Sequence, residues 1–554
     1  MKIYISFLYA FLFVGILSSC EGDLDIELED DDDLLAEDVF NQPGGYDRAI
    51  AGVYANFSVV GLDDPGTSNL AGIDAGTGNY IRGLFNLQSL ASDEVLWNFE
   101  NDQGIRQIQR NSWDANNVIV LGFWARATFQ ISLANEFLRQ TTEDKLNERG
   151  VDEAAKQEIR TYRAEARVLR ALANYHLLDL FRRAPFATEN DPVGFTRVQE
   201  IAGDDLFNYI ETELLEVEDQ LLDVNPGNAE QYGRANKGVA KMILAKLYLN
   251  AEVFLENSNN RFADCLRVCE EIINSGYSLT PNYLNNFNAD NNSNGAQNEI
   301  IFPVVADGVS VRNFGGASII IQGQQNANGD FRPTPADFGA IGFGNLFRVR
   351  EELSLTFEAP LFNNDERNTL VKFDVPVVPG PNPPVERDIA IGADLLDTSS
   401  GYLMAKYSNI SSNGEPGQDQ LFVDTDFPLF RLADVYLMYA EAHLEGGGGD
   451  LTTATRYINL LRERAFNNSS ANISEGDLTL DFILDERARE LHWEAHRRQD
   501  LIRFDLYTGG SYTWSFKGGP QNGTAIDEKF KRFPVPASSR SANPNLGQNP
   551  GFEL

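Results

Sequence analysis

Cysteine and histidine are nearly absent from this chain, at three and four residues in 554. Three thiols cannot build a disulfide framework. Cys265 and Cys269 stand four positions apart, which on a helix separates their Cβ atoms by about 5–6 Å, against the ~3.8 Å of a disulfide. They read as reduced, buried, small apolar residues. The few histidines leave one segment with metal-like spacing, Leu491-His-Trp-Glu-Ala-His496. A zincin places its Glu directly after the first His, whereas Glu494 follows His492 by two positions, roughly 200° round a helix. His492 and His496 are therefore expected to pack, and to pair with Arg489, Arg497 and Arg498, rather than to hold a metal.

Positive charge is also in deficit, with 45 Lys and Arg against 82 Asp and Glu, a net charge of −37. That balance excludes a nucleic-acid partner, which needs clustered cations, and disfavours anionic lipid. It reads as solubility by self-repulsion. The sequence has no P-loop, no Gly-x-Ser-x-Gly elbow and no Gly-x-Gly-x-x-Gly after a strand. Close carboxylate pairs are inevitable among so many acids, which leaves a glycoside hydrolase as a weaker alternative. Asn288-Ala-Asp-Asn-Asn-Ser-Asn294 offers oxygen donors but lacks the spacing and Glu of a calcium loop. A polar loop is the stronger reading, and no cofactor is expected beyond a possible structural calcium.

The N-terminal apolar run, Ile3 to Leu17, is shorter than the ~20 residues of a spanning helix. It ends in Leu17-Ser-Ser-Cys20, the small-residue pattern of a bacterial lipoprotein signal. Residues 1–19 thus read as a signal peptide, and Cys20 as the acylated first residue of the mature chain. Glu21 to Asp33 holds nine carboxylates and no basic residue, too much like charge to pack. Residues 20–38 read as a solvated tether, and 39–554 as one body.

That body has helical periodicity in two regions, about 123–277 and 428–510. Ala166, Leu169, Ala173, Leu177 and Leu180 make one apolar face. Val239, Ile243, Leu247 and Ala251 make another, followed by a helix from Phe262 to Asn274. Leu432, Val435, Tyr439 and Ala442 form a third stripe, Gly446 to Gly449 an interhelix turn, Thr453 to Ala465 a helix, and Leu480 to about Leu506 a further one. Paired helices of this length resemble degenerate tetratricopeptide units. The fold class is therefore mostly α, with helix pairs supporting a long irregular half. That half comprises the Asn-, Gly-, Pro- and Asp-rich parts at about 58–110 and 278–427, expected to meet in space and to carry binding surface. Within it Trp97 and Phe99 alternate among amides and carboxylates, the flat rings and polar rim that suit a sugar.

Several motifs occur together and in order: Ala91-Ser-Asp-Glu94, Ala164-Glu-Ala-Arg-Val-Leu-Arg-Ala171, Phe430-Arg-Leu-Ala-Asp-Val-Tyr-Leu-Met-Tyr-Ala-Glu441, Asp485-Glu-Arg-Ala-Arg-Glu490, Arg497-Arg-Gln-Asp-Leu-Ile-Arg503 and Arg532-Phe-Pro-Val-Pro536. With Cys20 they resemble the SusD/RagB family of surface glycan-binding lipoproteins, and are most similar to its starch-binding member. Leu96-Trp97, Val311-Arg-Asn-Phe-Gly-Gly316 and Lys517-Gly-Gly-Pro-Gln-Asn-Gly-Thr524 extend that likeness. The resemblance implies four tetratricopeptide-like helix pairs, outer-membrane anchoring on the exterior face, and a SusC-type TonB-dependent transporter as partner. It implies no catalysis. For the ligand it implies an α-glucan or another neutral glycan, held by three aromatic residues, an Arg and a hydrogen-bonding amide. Carried across by motif, these fall on Phe99, Phe314, Phe338 (Phe331 competing), Arg82 and Asp102, with Trp97 beside them. The chain departs from the pattern by offering Phe where that member has Trp or Tyr, and Asp102 where it has Asn.

Overall fold

The structure is a computed structural model that describes residues 36–61, 64–194, 197–255, 259–326, 329–378 and 383–553. The signal segment, Cys20 and Glu21 to Asp33 lie outside the described residues. Of the described residues, 36–49 belong to one unit and those from Ile50 onward to a second. In the first, the helix Ala36–Phe40 brings Phe40 to within 5.2 Å of the Tyr46 ring.

The second unit is mainly helical. Its principal helices are α1 (Tyr80–Phe85), α2 (Val118–Gln140), α3 (Glu153–Phe181), α4 (Gly203–Val217), α5 (Lys237–Leu249), α6 (Phe262–Ile273), α7 (Gly316–Gly323), α8 (Leu432–Ala442), α9 (Leu451–Phe466), α10 (Leu480–Leu491) and α11 (Arg497–Arg503). Neighbours in sequence pack as pairs, α2 on α3, α5 on α6 and α8 on α9, and α6 on α8 joins the two helical regions. Helix α3 begins where Asp152 accepts the N–H groups of Ala154 and Ala155 and stops at Arg182, which adopts a left-handed conformation. Its predicted face, Ala166, Leu169, Ala173, Leu177 and Leu180, is buried. Cys265 and Cys269 are free and buried in α6, their sulfurs 4.0 Å apart, about twice a disulfide's S–S length.

The helix expected from Leu480 to Leu506 is broken. Helix α10 ends at Leu491 and α11 starts at Arg497, with Trp493 and Ala495 at positive φ between them. The break turns the Glu494 carboxylate toward Arg431 and Lys406. It also removes the helical face that His492 and His496 would share. His492 turns to the Arg489 carbonyl, and His496 lies 3.1 Å from Lys246 Nζ.

Much of the Arg- and Glu-rich motif set forms a buried charge network. Arg431 donates to Glu299, Glu490 and Glu494; Arg464 donates to Glu299 and Glu490; Arg367 donates to Asp365, Glu486 and Glu490. Charges this far from water persist only when paired and hydrogen-bonded. Burial raises the Glu490 carboxyl's proton affinity, but Arg464, Arg431 and Arg367 overcome it and hold that carboxyl far below its ordinary range.

Among the described residues, strands are short and scattered in five small antiparallel sheets. The one that matters for the site pairs β1 (Val95–Trp97) with β2 (Phe347–Val349), in the register Val95↔Val349 and Trp97↔Phe347. It joins the two irregular parts of the chain, as expected from their composition.

Candidate functional site

The site is built where β1 and β2 end together. Because the pair is antiparallel, residues after Trp97 and residues before Phe347 leave the ladder at the same end. Asn98 extends the pairing, its N–H donating to the Leu346 carbonyl at 2.9 Å and its side chain to the Asn345 carbonyl at 2.7 Å. Phe99 then projects, 40% exposed, at the head of a turn closed by the Asp102 N–H to the Phe99 carbonyl. From the partner strand comes Phe343, 46% exposed and flanked by Gly342 and Gly344. The half-buried Phe314 ring lies 6.3 Å from Phe343 and 5.0 Å from Phe422, edge-on to both. Exposed apolar rings such as Phe99 and Phe343 are candidates for ligand contact.

Polar groups stand beside the rings. Arg82 is set by α1, whose first turn Asn79 caps by accepting the Arg82 N–H. Among the described residues its guanidinium has no hydrogen-bond partner, and its Nε is buried unsatisfied. The guanidinium lies over the Trp97 ring, 5.4 Å from the centroid. It also lies against Gly76, where a Cβ would meet Nη1 at 2.1 Å. Burial lowers the Arg82 pKa, against the opposing fields of Asp74 and Asp102. Asp102 is exposed and accepts the Trp97 indole N–H at 2.9 Å.

The turn is braced from behind. Glu100 accepts from Arg106 at 2.6 Å and from Arg110 at 2.8 Å. Partial burial raises the Glu100 pKa, but these two arginines reverse that and leave it below the ordinary value. Arg110 reaches on to the Gly519 carbonyl and lies over the Phe516 ring, so the glycine-rich segment after Lys517 buttresses the site. A polar cleft continues past Asp102, lined by Glu100, Asn101, Gln103, Arg106, Asn116 and Asn117.

The structure therefore brings Arg82, Phe99 and Asp102 together and corrects two other residues. Trp97 is only 2% exposed, edge-on to Phe347 at 5.2 Å, so it has no face to offer a ligand. Phe338 is 4% exposed at the end of the short helix Pro335–Phe338, where its carbonyl accepts the Asn409 N–H; it is core. Phe331 is half-buried in a different sheet, opposite Pro376. The exposed ring in this stretch is instead Phe343, which no motif singled out.

The Asn288–Asn294 loop uses its oxygens on protein donors: Asp290 accepts from Ser412 N–H, Ser412 Oγ and Asn294. Among the described residues no group of three or more His, Cys, Asp or Glu is placed to hold a metal ion.

Residues 390–552 match the SusD family. The chain is 32% identical over 584 aligned positions to the starch-binding protein SusD of Bacteroides thetaiotaomicron, covering 99% of each chain. It is 28% identical to SusD-like protein P25 of Formosa agariphila, covering 99% of this chain and 98% of that one. Among solved structures, surface glycan-binding protein A from Bacteroides thetaiotaomicron in complex with laminarihexaose superposes with a TM-score of 0.65 at 19% identity. The match covers 91% of this chain and 98% of that one, and shares the fold.

Proposed function

Because the chain belongs to the SusD/RagB family, we propose that it is a non-catalytic binder of glycans, with an α-glucan as the best-fitting ligand. The observation that carries this reading is the exposed Phe99 ring, on the turn that carries Asp102 at the open end of the β1–β2 ladder, with the Arg82 guanidinium over the adjoining Trp97 ring. A sugar ring lays its C–H face on Phe99 and Phe343. Its hydroxyls accept from Arg82 and donate to Asp102, which as a carboxylate only accepts. A few stacked rings on an open surface give weak affinity, of about 4–8 kcal/mol or millimolar to micromolar Kd.

Calorimetry with maltoheptaose tests the ligand class: heat that disappears in Phe99→Ala is the expected result. No heat with any α-glucan, alongside binding of another neutral glycan, would transfer the reading to that glycan. Release of shortened products from labelled glycan would replace binding by hydrolysis.

The same reading makes Cys20 a lipid anchor in the outer membrane, with the body facing outward and handing its ligand to a SusC-type TonB-dependent transporter. The acidic stretch supports surface export as well as slack. Replacing Asp30 to Asp33 with Ser should leave binding intact and shield the protein from protease added to whole cells. Continued cleavage of that variant would leave only the tether role.

A further inference from the structure

Trp97 is out of reach of any ligand, yet both polar groups of the site are fixed through it. Its indole N–H donates to Asp102, 2.9 Å away, and its ring face carries the Arg82 guanidinium. Among the described residues, the Trp97 indole supplies the one side-chain hydrogen bond to the Asp102 carboxylate. Arg82 has no hydrogen bond from its guanidinium to hold it, so the indole face, the Gly76 surface and the nearby carboxylates set its position.

This arrangement differs from that of three of the chain's other four tryptophans. Among the described residues, Trp113, Trp493 and Trp514 leave their buried indole N–H groups without a hydrogen-bond partner. Trp97 nevertheless directs its donor outward, to an exposed acid on a turn.

We propose that Trp97 is the positioning residue of the glycan site, fixing the acceptor Asp102 and the donor Arg82 at the separation that a sugar's hydroxyls bridge. The proposal rests on the glycan reading above and adds to it how the site is kept in register. The indole N–H prevents the Asp102 side chain from rotating away from Phe99 or closing on Arg82, either of which would cost the ligand both contacts. A buried ring has no freedom of its own to lose when ligand binds, so the order it imparts is present beforehand.

The test has one readout without ligand and one with it. In the full chain labelled with 5-fluorotryptophan, five tryptophans give five fluorine signals, and Trp97→Phe identifies the relevant one. Asp102→Ala should shift that signal while Asp102→Asn, which keeps an acceptor, shifts it less. An unmoved signal in Asp102→Ala would overturn the proposal.

By calorimetry with maltoheptaose and laminarihexaose, Trp97→Phe keeps a ring beneath Arg82 and should weaken binding about fivefold to tenfold. Asp102→Ala should do the same, and the double variant should be within about twofold of either single one, since both break one linkage. Asp102→Asn should restore most of the affinity. Losses that multiply in the double variant, or Trp97→Phe binding as wild type does, would refute positioning. No heat from the wild-type protein with either sugar would defeat the glycan reading instead, and the fluorine shift would then decide the Trp97 linkage alone.

Discussion

Gly315 sits against Asn79 so closely that a Cβ on the glycine would stand 2.2 Å from the Asn79 Cγ. Asn79 caps the helix that presents Arg82, and Gly315 directly follows Phe314. The cation and the ring, more than two hundred residues apart in the chain, are thereby seated on one another's supports. Asn79 also donates to the Ser58 carbonyl at 2.8 Å, which ties the seat to the frame.

Gly76→Ala tests the placement of Arg82. The new Cβ would collide with the far end of a flexible side chain, not with backbone, so the guanidinium moves and the fold does not. Affinity for maltoheptaose should fall by roughly 1 kcal/mol, the worth of a hydrogen bond or two, with the melting temperature unchanged. A melting temperature that falls while affinity holds would contradict this.

Phe343→Ala and Phe338→Ala should separate platform from core. The exposed ring, when lost, should cost about 1 kcal/mol of binding and leave thermal stability as it was. The buried one should cost about 3–5 kcal/mol of stability through the cavity it leaves while the folded fraction binds normally. Thermal melts paired with calorimetry read both.

Glu94 makes stability depend on pH. Burial, with Asp93 adding to it, raises its carboxyl to about 8 although Arg497 opposes the shift. Desolvation likewise raises half-buried Glu352 and buried Asp426, each to about 7. A folded pKa above the unfolded one means that the unfolded chain gives up its proton first. The stabilising contribution is therefore complete below the ordinary carboxyl range, near 4.5 for Glu94, and is lost as pH climbs through about 8. Glu94→Gln should flatten the decline in melting temperature between pH 5 and pH 9; a slope as steep as wild type's would count against a protonated Glu94.

Arg431→Met should leave three buried carboxylates one cation short, since Glu299, Glu490 and Glu494 all use that guanidinium. Removing one member of a buried charge set costs about 3–5 kcal/mol, which chemical denaturation would measure. A loss under 1 kcal/mol would mean that water reaches the network.

The helical frame was legible because its faces repeat at three- and four-residue steps; the structure adds that Asp152 and Asn236 cap two of the starts. The motifs that identified the family are largely frame too: Arg431 pairs with Glu490, Arg503 with Glu441, Arg487 with Asp434 and Arg489 with Glu486. What stayed hidden is what depends on tertiary contact. Nothing local announces that the helix from Leu480 must break at His492 to deliver Glu494, because the reason is Arg431, far away in the chain. Burial of Trp97 and Phe338 is likewise decided by β2 and by the Asn409 segment. Phe99 and Arg82 have recognisable motifs close by in the chain, whereas Phe343 lies in a loop-rich segment far from any such anchor.

The pairing of Asn98 with Asn345 closes a loop of 247 residues. Until Phe347 has entered the ladder, Phe99 has no opposite strand and the rim has no second side. Closing a loop of that size is slow relative to forming helices from neighbouring residues. In a chain synthesised from its N-terminus, the frame's first helices precede the β1–β2 pairing, and a molecule truncated before the middle of its length carries only the Phe99 side of the proposed rim.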